Sequence, residues 1–252
     1  MKNNDKSGGT LLHIMSYNLL ADNAEGGYEW GTPIGDRKNG VISCLKKNMP
    51  DIAGLQETTL SWYKIVREAL DGYEFINSTD PKNGMENGIC TALMYNTETV
   101  ELLETDLIHY ESSYWGVGRV RYINMGLFRH KETNTRFITI CTHLDAGPGD
   151  DFEACRISQA KELSAKIREY REKYSCPIIS VADYNCGVET EPYQHIVSNT
   201  PLLDSYENCP DGFIDHILHS TDIKTLSFEV IDEDYVRHSS DHLPIHAKLL
   251  LD

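Results

Sequence analysis

Basic charge is scarce in this 252-residue chain: Lys and Arg number 23 against 39 Asp and Glu, a net charge of −16. So acidic a surface is a poor generic partner for phosphate backbones or anionic membranes, and a phosphate substrate would need a cation or a local basic pocket. Cysteine pairing is also missing. The seven cysteines (Cys44, Cys90, Cys141, Cys155, Cys176, Cys186 and Cys209) show no CxxC spacing, which argues for reduced core thiols over a disulfide framework or a zinc site. No apolar run approaches the roughly 20 residues of a membrane span, and the N-terminus lacks the apolar stretch of a secretory leader. A cytoplasmic protein without a membrane span is the expectation. Repeats, low-complexity tracts and long linkers are absent too. A loose polar tail over residues 1–9 and a single domain over residues 10–252 is therefore the economical organisation.

What is present suffices for a sizeable core, since 40% of the residues are hydrophobic. Strand patterns occur at Leu11–Tyr17, Asp51–Gln56, Cys90–Tyr95, Arg119–Lys131, Arg136–Thr142, Pro177–Ala182, Gly212–Leu218, Thr225–Val230 and Pro244–Leu250. Glu132-Thr133-Asn134-Thr135 supplies a hairpin turn. Helices are expected over Asp36–Asn48, stopped by Pro50, and after a Thr58 or Thr59 cap with Leu60, Tyr63, Ile65, Val66 and Leu70. The longest runs from about Asp151 to Lys173, with an apolar stripe of Phe152, Cys155, Gln159, Leu163, Ile167, Tyr170 and Tyr174. Many strands with few helices suggest sheets packed on each other with helices outside.

Polar residues concentrate in six islands, each at the end of an apolar run. They are Ser16-Tyr17-Asn18, Leu55-Gln56-Glu57, Thr142-His143-Leu144-Asp145, Val181-Ala182-Asp183-Tyr184-Asn185, Ile214-Asp215-His216-Ile217 and Ser239-Ser240-Asp241-His242-Leu243-Pro244. A strand end hands a rigid sheet to a loop, so groups there are held firmly yet remain accessible. If these ends converge, Glu57, Asp183, Asp215 and Asp241 share a pocket with His143, His242, Asn18 and Asn185. Each like-charge carboxylate pair at about 4 Å costs about 4 kcal/mol at an effective dielectric near 20. A hard divalent cation relieves that repulsion, and Mg²⁺ in turn favours a phosphate ligand.

The six islands, in this order, resemble those of the endonuclease/exonuclease/phosphatase superfamily, which includes deoxyribonuclease I, abasic-site endonucleases, inositol-phosphate phosphatases, deadenylases and bacterial sphingomyelinases. The resemblance spans about Leu11 to Leu250. It implies an α+β fold, a four-layer α/β sandwich with two mixed β-sheets face to face and helices outside. It also implies a metal-dependent phosphoesterase using Mg²⁺, with Mn²⁺ able to substitute.

Carried over by motif, Glu57 matches the main metal ligand and Asn18 an asparagine at the metal and phosphate. Asp183 and Asn185 match an Asp-x-Asn pair that handles the attacking water and a phosphate oxygen. In the closing Ser-Asp-His, Asp241 falls near the metal and His242 on the phosphate. Asp215 resembles the partner of His242, and His143 the other histidine flanking the scissile phosphate. The water's proton goes to Asp183 or to His242, the latter favoured as a unit with Asp215.

Trp30 and Arg37 resemble a tryptophan–arginine pair of bacterial members, and Arg37 and Arg156 are expected to face substrate. Glu86 is a candidate acidic partner for His143. Ala182 departs from the family's usual glycine. His143 stands where abasic-site enzymes carry tyrosine, and the inositol-phosphate phosphatase signature is replaced by Phe213-Ile214-Asp215-His216. The substrate expected is a phosphate ester, whether small molecule, lipid headgroup or nucleic acid, and the acidic charge leans toward a compact one. A nuclease and a non-catalytic binding scaffold are the alternatives, and no obligatory protein partner is called for. His216, Asp204 and Asp211 are taken as structural, Cys186 as a buried filler, and Tyr114 and Trp115 as a substrate lip or a covered patch.

Overall fold

The computed structural model describes residues 9–21, 34–76, 90–114 and 121–251. Trp30, Glu86, Trp115 and Arg119 lie outside the described residues. The core strands are β1 (Thr10–Asn18), β2 (Ile52–Thr58), β3 (Tyr73–Ile76), β4 (Cys90–Asn96), β5 (Val100–His109), β6 (Tyr122–His130), β7 (Arg136–His143), β8 (Ile178–Asp183), β9 (Leu202–Asp204), β10 (Asp215–Ser220), β11 (Ile223–Val230) and β12 (Ile245–Leu251). The helices are α1 (Ile34–Asn48), α2 (Leu60–Ala69), α3 (Asp150–Tyr174) and α4 (Glu191–Asn199).

Among the described residues the strands form two six-stranded sheets, ordered β11-β12-β1-β2-β4-β3 and β5-β6-β7-β8-β10-β9. Both are mixed: β1 with β2 and β7 with β8 are parallel, bridged by α1 and α3, while the other pairings are antiparallel. Leu12, Ile14, Ile52, Phe137, Val181, Ile217 and Ala247 meet between the sheets. Val41, Leu45, Trp62 and Val66 of α1 and α2 cover the first sheet's outer face through Met15, Tyr17 and Leu55. Leu163, Ile167 and Tyr170 of α3 and Ile196 of α4 cover the second through Ile138, Ile140 and Leu218. This is the expected α/β/β/α sandwich. The sheets approach closely at Gly54, where a Cβ would lie 2.3 Å from Val181 Cγ2.

The expected strands and helices are present with ends shifted by a few residues, and Asn134 turns the β6–β7 hairpin at φ 61°. Thr59 caps α2 by accepting the Trp62 N–H at 3.2 Å. Four elements went unread. β3 and β9 are too short to show a period, α4 carries Pro192 in its first turn, and β5 is an edge strand rich in acidic side chains. In α3 the stripe differs at its start: Phe152 and Cys155 are only half-buried, whereas Arg156 is buried.

Candidate active site

The alternation of strand side chains decides which island residues meet. On β1, β7, β8 and β10 the residues in phase with Ile14, Cys141, Val181 and Ile217 face the other sheet. Asn18, His143, Asp183 and Asp215 are in that phase. Register then aligns three of them across the second sheet, because His143 pairs with Asp183 and Asp183 with Asp215. Glu57 is the exception. Ala53 and Leu55 point to the helix side, and strict alternation would send Glu57 after them. Instead β2 carries one extra residue against β4 between Leu55 and Thr58, and Glu57 adopts φ 56°. That bulge and left-handed backbone, costing about 1–3 kcal/mol, swing the carboxylate back toward Asn18.

One chain of contacts runs through the mouth. The Asn18 amide donates to Glu57 Oε1 at 3.4 Å and to Asp183 Oδ2 at 3.0 Å. Asp183 Oδ2 lies 3.3 Å from His143 Nε2 and 3.7 Å from His242 Nε2. His242 Nδ1 pairs with Asp215 Oδ2 at 2.7 Å. Asn185, at φ 51°, donates its backbone N–H to Asp183 Oδ1 at 2.9 Å and its amide to Leu144 O at 3.0 Å. His242 lies between β11 and β12, where Ser240 Oγ donates to Asn18 O at 2.6 Å and ties that segment to the first sheet. Asp241 is exposed, with its Oδ1 3.3 Å from Ser240 Oγ.

Protonation follows from this geometry. Burial raises Asp183 and the Asp215 charge raises it further, against the stabilising His242, Asn18 and Asn185. Burial pulls His242 down, but the Asp215 hydrogen bond and the charges of Asp215, Asp183 and Asp241 prevail and lift it to about 10. At neutral pH His242 is an imidazolium. His143 is the opposite case: burial, then the Arg121 and His242 charges, hold it well below its usual value, so it is neutral.

Three expectations need correction. Arg37 is buried, donating to Leu19 O at 2.6 Å, Ser239 O at 3.0 Å and Leu20 O at 2.8 Å, with Trp62 stacked 5.1 Å away. Arg156 is buried as well and donates to Asp145 O, Gly147 O and Glu153. Both guanidiniums frame the loops around the site, the Arg37 fork turned to carbonyls and the Arg156 fork to two carbonyls and the Glu153 carboxylate. Asn18 presents its N–H₂ to the carboxylates, while its oxygen accepts the Leu20 N–H at 3.0 Å, so a metal-ligand role for that oxygen does not fit.

Sequence reasoning passed over other contributors. The Ala21 N–H binds Glu57 Oε2 at 2.8 Å, a backbone donor no motif announces. Asp145, fully buried, joins Arg121 Nε at 3.2 Å and the Tyr114 N–H at 2.8 Å; its place in the His143 island was the available signal. Tyr114 itself is exposed and packs on Phe152 with ring centroids 3.8 Å apart. Cys186 is buried, as expected of a filler.

Two histidines, a buried carboxylate pair and oriented amides thus meet at one mouth of a two-sheet sandwich. A family model described as the Endonuclease/Exonuclease/phosphatase family matches residues 15–242, and the chain belongs to that family, an enzyme class of phosphoesterases and nucleases. Human tyrosyl-DNA phosphodiesterase 2 is 27% identical over 153 residues, 60% of this chain and 38% of that protein, so the chain matches well under half of that relative. An endonuclease/exonuclease/phosphatase family protein from Bacteroides thetaiotaomicron superposes with a TM-score of 0.82 at 25% identity, covering 96% of both chains. A mannosyl-6-phosphatase from the same species superposes with a TM-score of 0.79 at 23% identity over 94% of this chain and 99% of that one. Among the described residues, no helix is long and apolar enough to cross a membrane.

Proposed function

We propose that residues 10–252 form one catalytic domain that hydrolyses a compact phosphate ester with Mg²⁺ as cofactor. The observation that carries this reading is the unbroken contact chain Glu57–Asn18–Asp183–His242–Asp215 between the two sheets. The donor set suits a hard ion. Glu57 is a half-buried carboxylate steered into the mouth by a strained bulge, and Asp241 is a second carboxylate at the rim. These two would hold the ion, with waters and substrate oxygens completing its shell. When bound, the ion neutralises charge developing on the phosphoryl oxygens.

The chain's own residues supply the rest. His242, already an imidazolium through Asp215, donates its Nε2–H to a phosphate oxygen and stabilises the transition state electrostatically. A protonated ring cannot serve as the base, so the role favoured for it in the sequence passes to Asp183. That carboxylate is raised by burial, aimed by Asn18 and the Asn185 N–H, and accepts the proton of the attacking water. His143, neutral, offers an N–H to the phosphate rather than a proton to the leaving group. Asn185 positions the turn that carries Asp183.

A compact substrate is favoured because the net charge is −16 and Arg37, Arg121 and Arg156 are engaged by backbone carbonyls, Asp145 and Glu153. The likeness to a DNA phosphodiesterase keeps nucleic acid as the second reading. The test is a panel of aryl phosphomonoesters and diesters, sugar phosphates and oligonucleotides with Mg²⁺, on wild type and on Asp183→Asn and His242→Ala. Each variant is expected to lose at least about a hundredfold in rate. A folded protein that turns over none of the panel refutes the proposal, and a rate that collapses steeply with salt favours the nucleic acid.

A further inference from the structure

On the far face of β10 from Asp215, a second group of donors comes together. Asp204 ends β9, His216 lies on β10, and Cys209 sits in the segment joining these two strands. One ligand atom from each lies within 4.8 Å of the others. His216 Nδ1 is 2.8 Å from Asp204 Oδ2, and its Nε2 is 3.0 Å from Phe213 O. The carboxylate is itself steered, Oδ2 by the Tyr193 hydroxyl at 2.9 Å and Oδ1 by the Tyr206 N–H at 2.9 Å. His216 is buried between the Tyr184 and Tyr193 rings, while Cys209 is half-buried and leaves a path from solvent.

We infer that Asp204 Oδ2, Cys209 Sγ and His216 Nδ1 bind one thiophilic divalent cation, Zn²⁺ in kind, with a fourth position left for water. The donor set is of the mixed sulfur, imidazole and carboxylate type that zinc accepts in tetrahedral sites. The supporting shell is in place. A ligating imidazole characteristically gives its other N–H to a backbone carbonyl, as His216 does to Phe213, and ligating carboxylates are hydrogen-bonded in turn.

A second carboxylate, Glu189, lies near Cys209 and accepts the Gly212 N–H at 3.0 Å. Binding forms Zn–S, Zn–N and Zn–O bonds, breaks the Nδ1–H···Asp204 hydrogen bond and releases two protons, one from the thiol and one from His216 Nδ1, while the Nε2–H stays on Phe213 O. No redox change is involved. The site revises the expectation that the lone cysteines are all inert core thiols, and it is independent of the catalytic reading.

The test uses the whole protein in excess Mg²⁺, titrated with Co²⁺ and then Zn²⁺. Wild type is expected to develop a near-ultraviolet thiolate-to-cobalt band that one equivalent of Zn²⁺ abolishes. Glu57→Gln keeps the band, and Cys209→Ser loses it, with Zn²⁺ affinity weakened at least about a hundredfold, beyond the usual cost of losing a supporting contact. In wild type, Zn²⁺ should also protect Cys209 from alkylation, read by peptide mass spectrometry. No band in wild type, a band that survives Cys209→Ser, or an unchanged alkylation rate overturns the assignment.

Discussion

Replacing Asp215 with asparagine removes the carboxylate in closest contact with His242. The imidazole stands at about 10 against an ordinary 6.5, which at 1.36 kcal/mol per pKa unit is about 5 kcal/mol in favour of the cation. Burial opposes that preference, so the carboxylates supply all of it. Asp215 acts through both a 2.7 Å hydrogen bond and its charge. A charge-assisted hydrogen bond is worth about 1.5–3 kcal/mol, so its loss should lower His242 by about two pKa units. The assay is an NMR titration of the His242 ring in metal-free protein, with the resonance assigned through His242→Gln.

Stability must follow. A group whose folded pKa is raised stabilises the fold fully below its unfolded value, and that stabilisation disappears as pH rises through the folded value. Wild type should therefore lose stability between pH 6.5 and about 10, and Asp215→Asn should lose about 3 kcal/mol less over that window. A His242 titration that moves by less than about half a pKa unit in Asp215→Asn would refute the account of the imidazolium.

Three further outcomes follow from the packing and the mouth. Glu57→Gln should weaken Mg²⁺ binding at least tenfold or so in a calorimetric titration while the fold survives, and an unchanged isotherm removes Glu57 from the ion's shell. Arg37→Met strips donors from three carbonyls and should cost about 3 kcal/mol or more in urea denaturation; a loss under about 1 kcal/mol means the fork is not what holds Leu19, Leu20 and Ser239 together. Gly54→Ala drives a methyl into Val181 and Cys141 and should cost about 1–3 kcal/mol, with a neutral effect showing that the sheets part freely.

Much of the site was legible because the side-chain period of a strand is two. Once Ile14, Val181 and Ile217 are assigned inward, Asn18, Asp183 and Asp215 must follow them. The family motifs then supplied names for residues whose partners lie between 27 and 165 positions away. Legibility ended where a residue's partner is backbone. Arg37 and Arg156 read as substrate-facing cations from the family resemblance, yet their partners are mostly carbonyls that any sequence carries. Asp204 and His216 looked structural singly, and only the β9–β10 pairing shows that they share a cluster with Cys209.

By itself the sequence determined the class of the fold, the polar strand ends and the acidic balance, since composition, alternation and motif are local properties of the chain. Tertiary structure alone decided that Glu57 turns inward on a bulge, that His242 is charged and His143 neutral, and that Asn18 offers nitrogen rather than oxygen. Those outcomes depend on burial and on charges brought together from distant segments, and neither quantity exists until the two sheets close on one another.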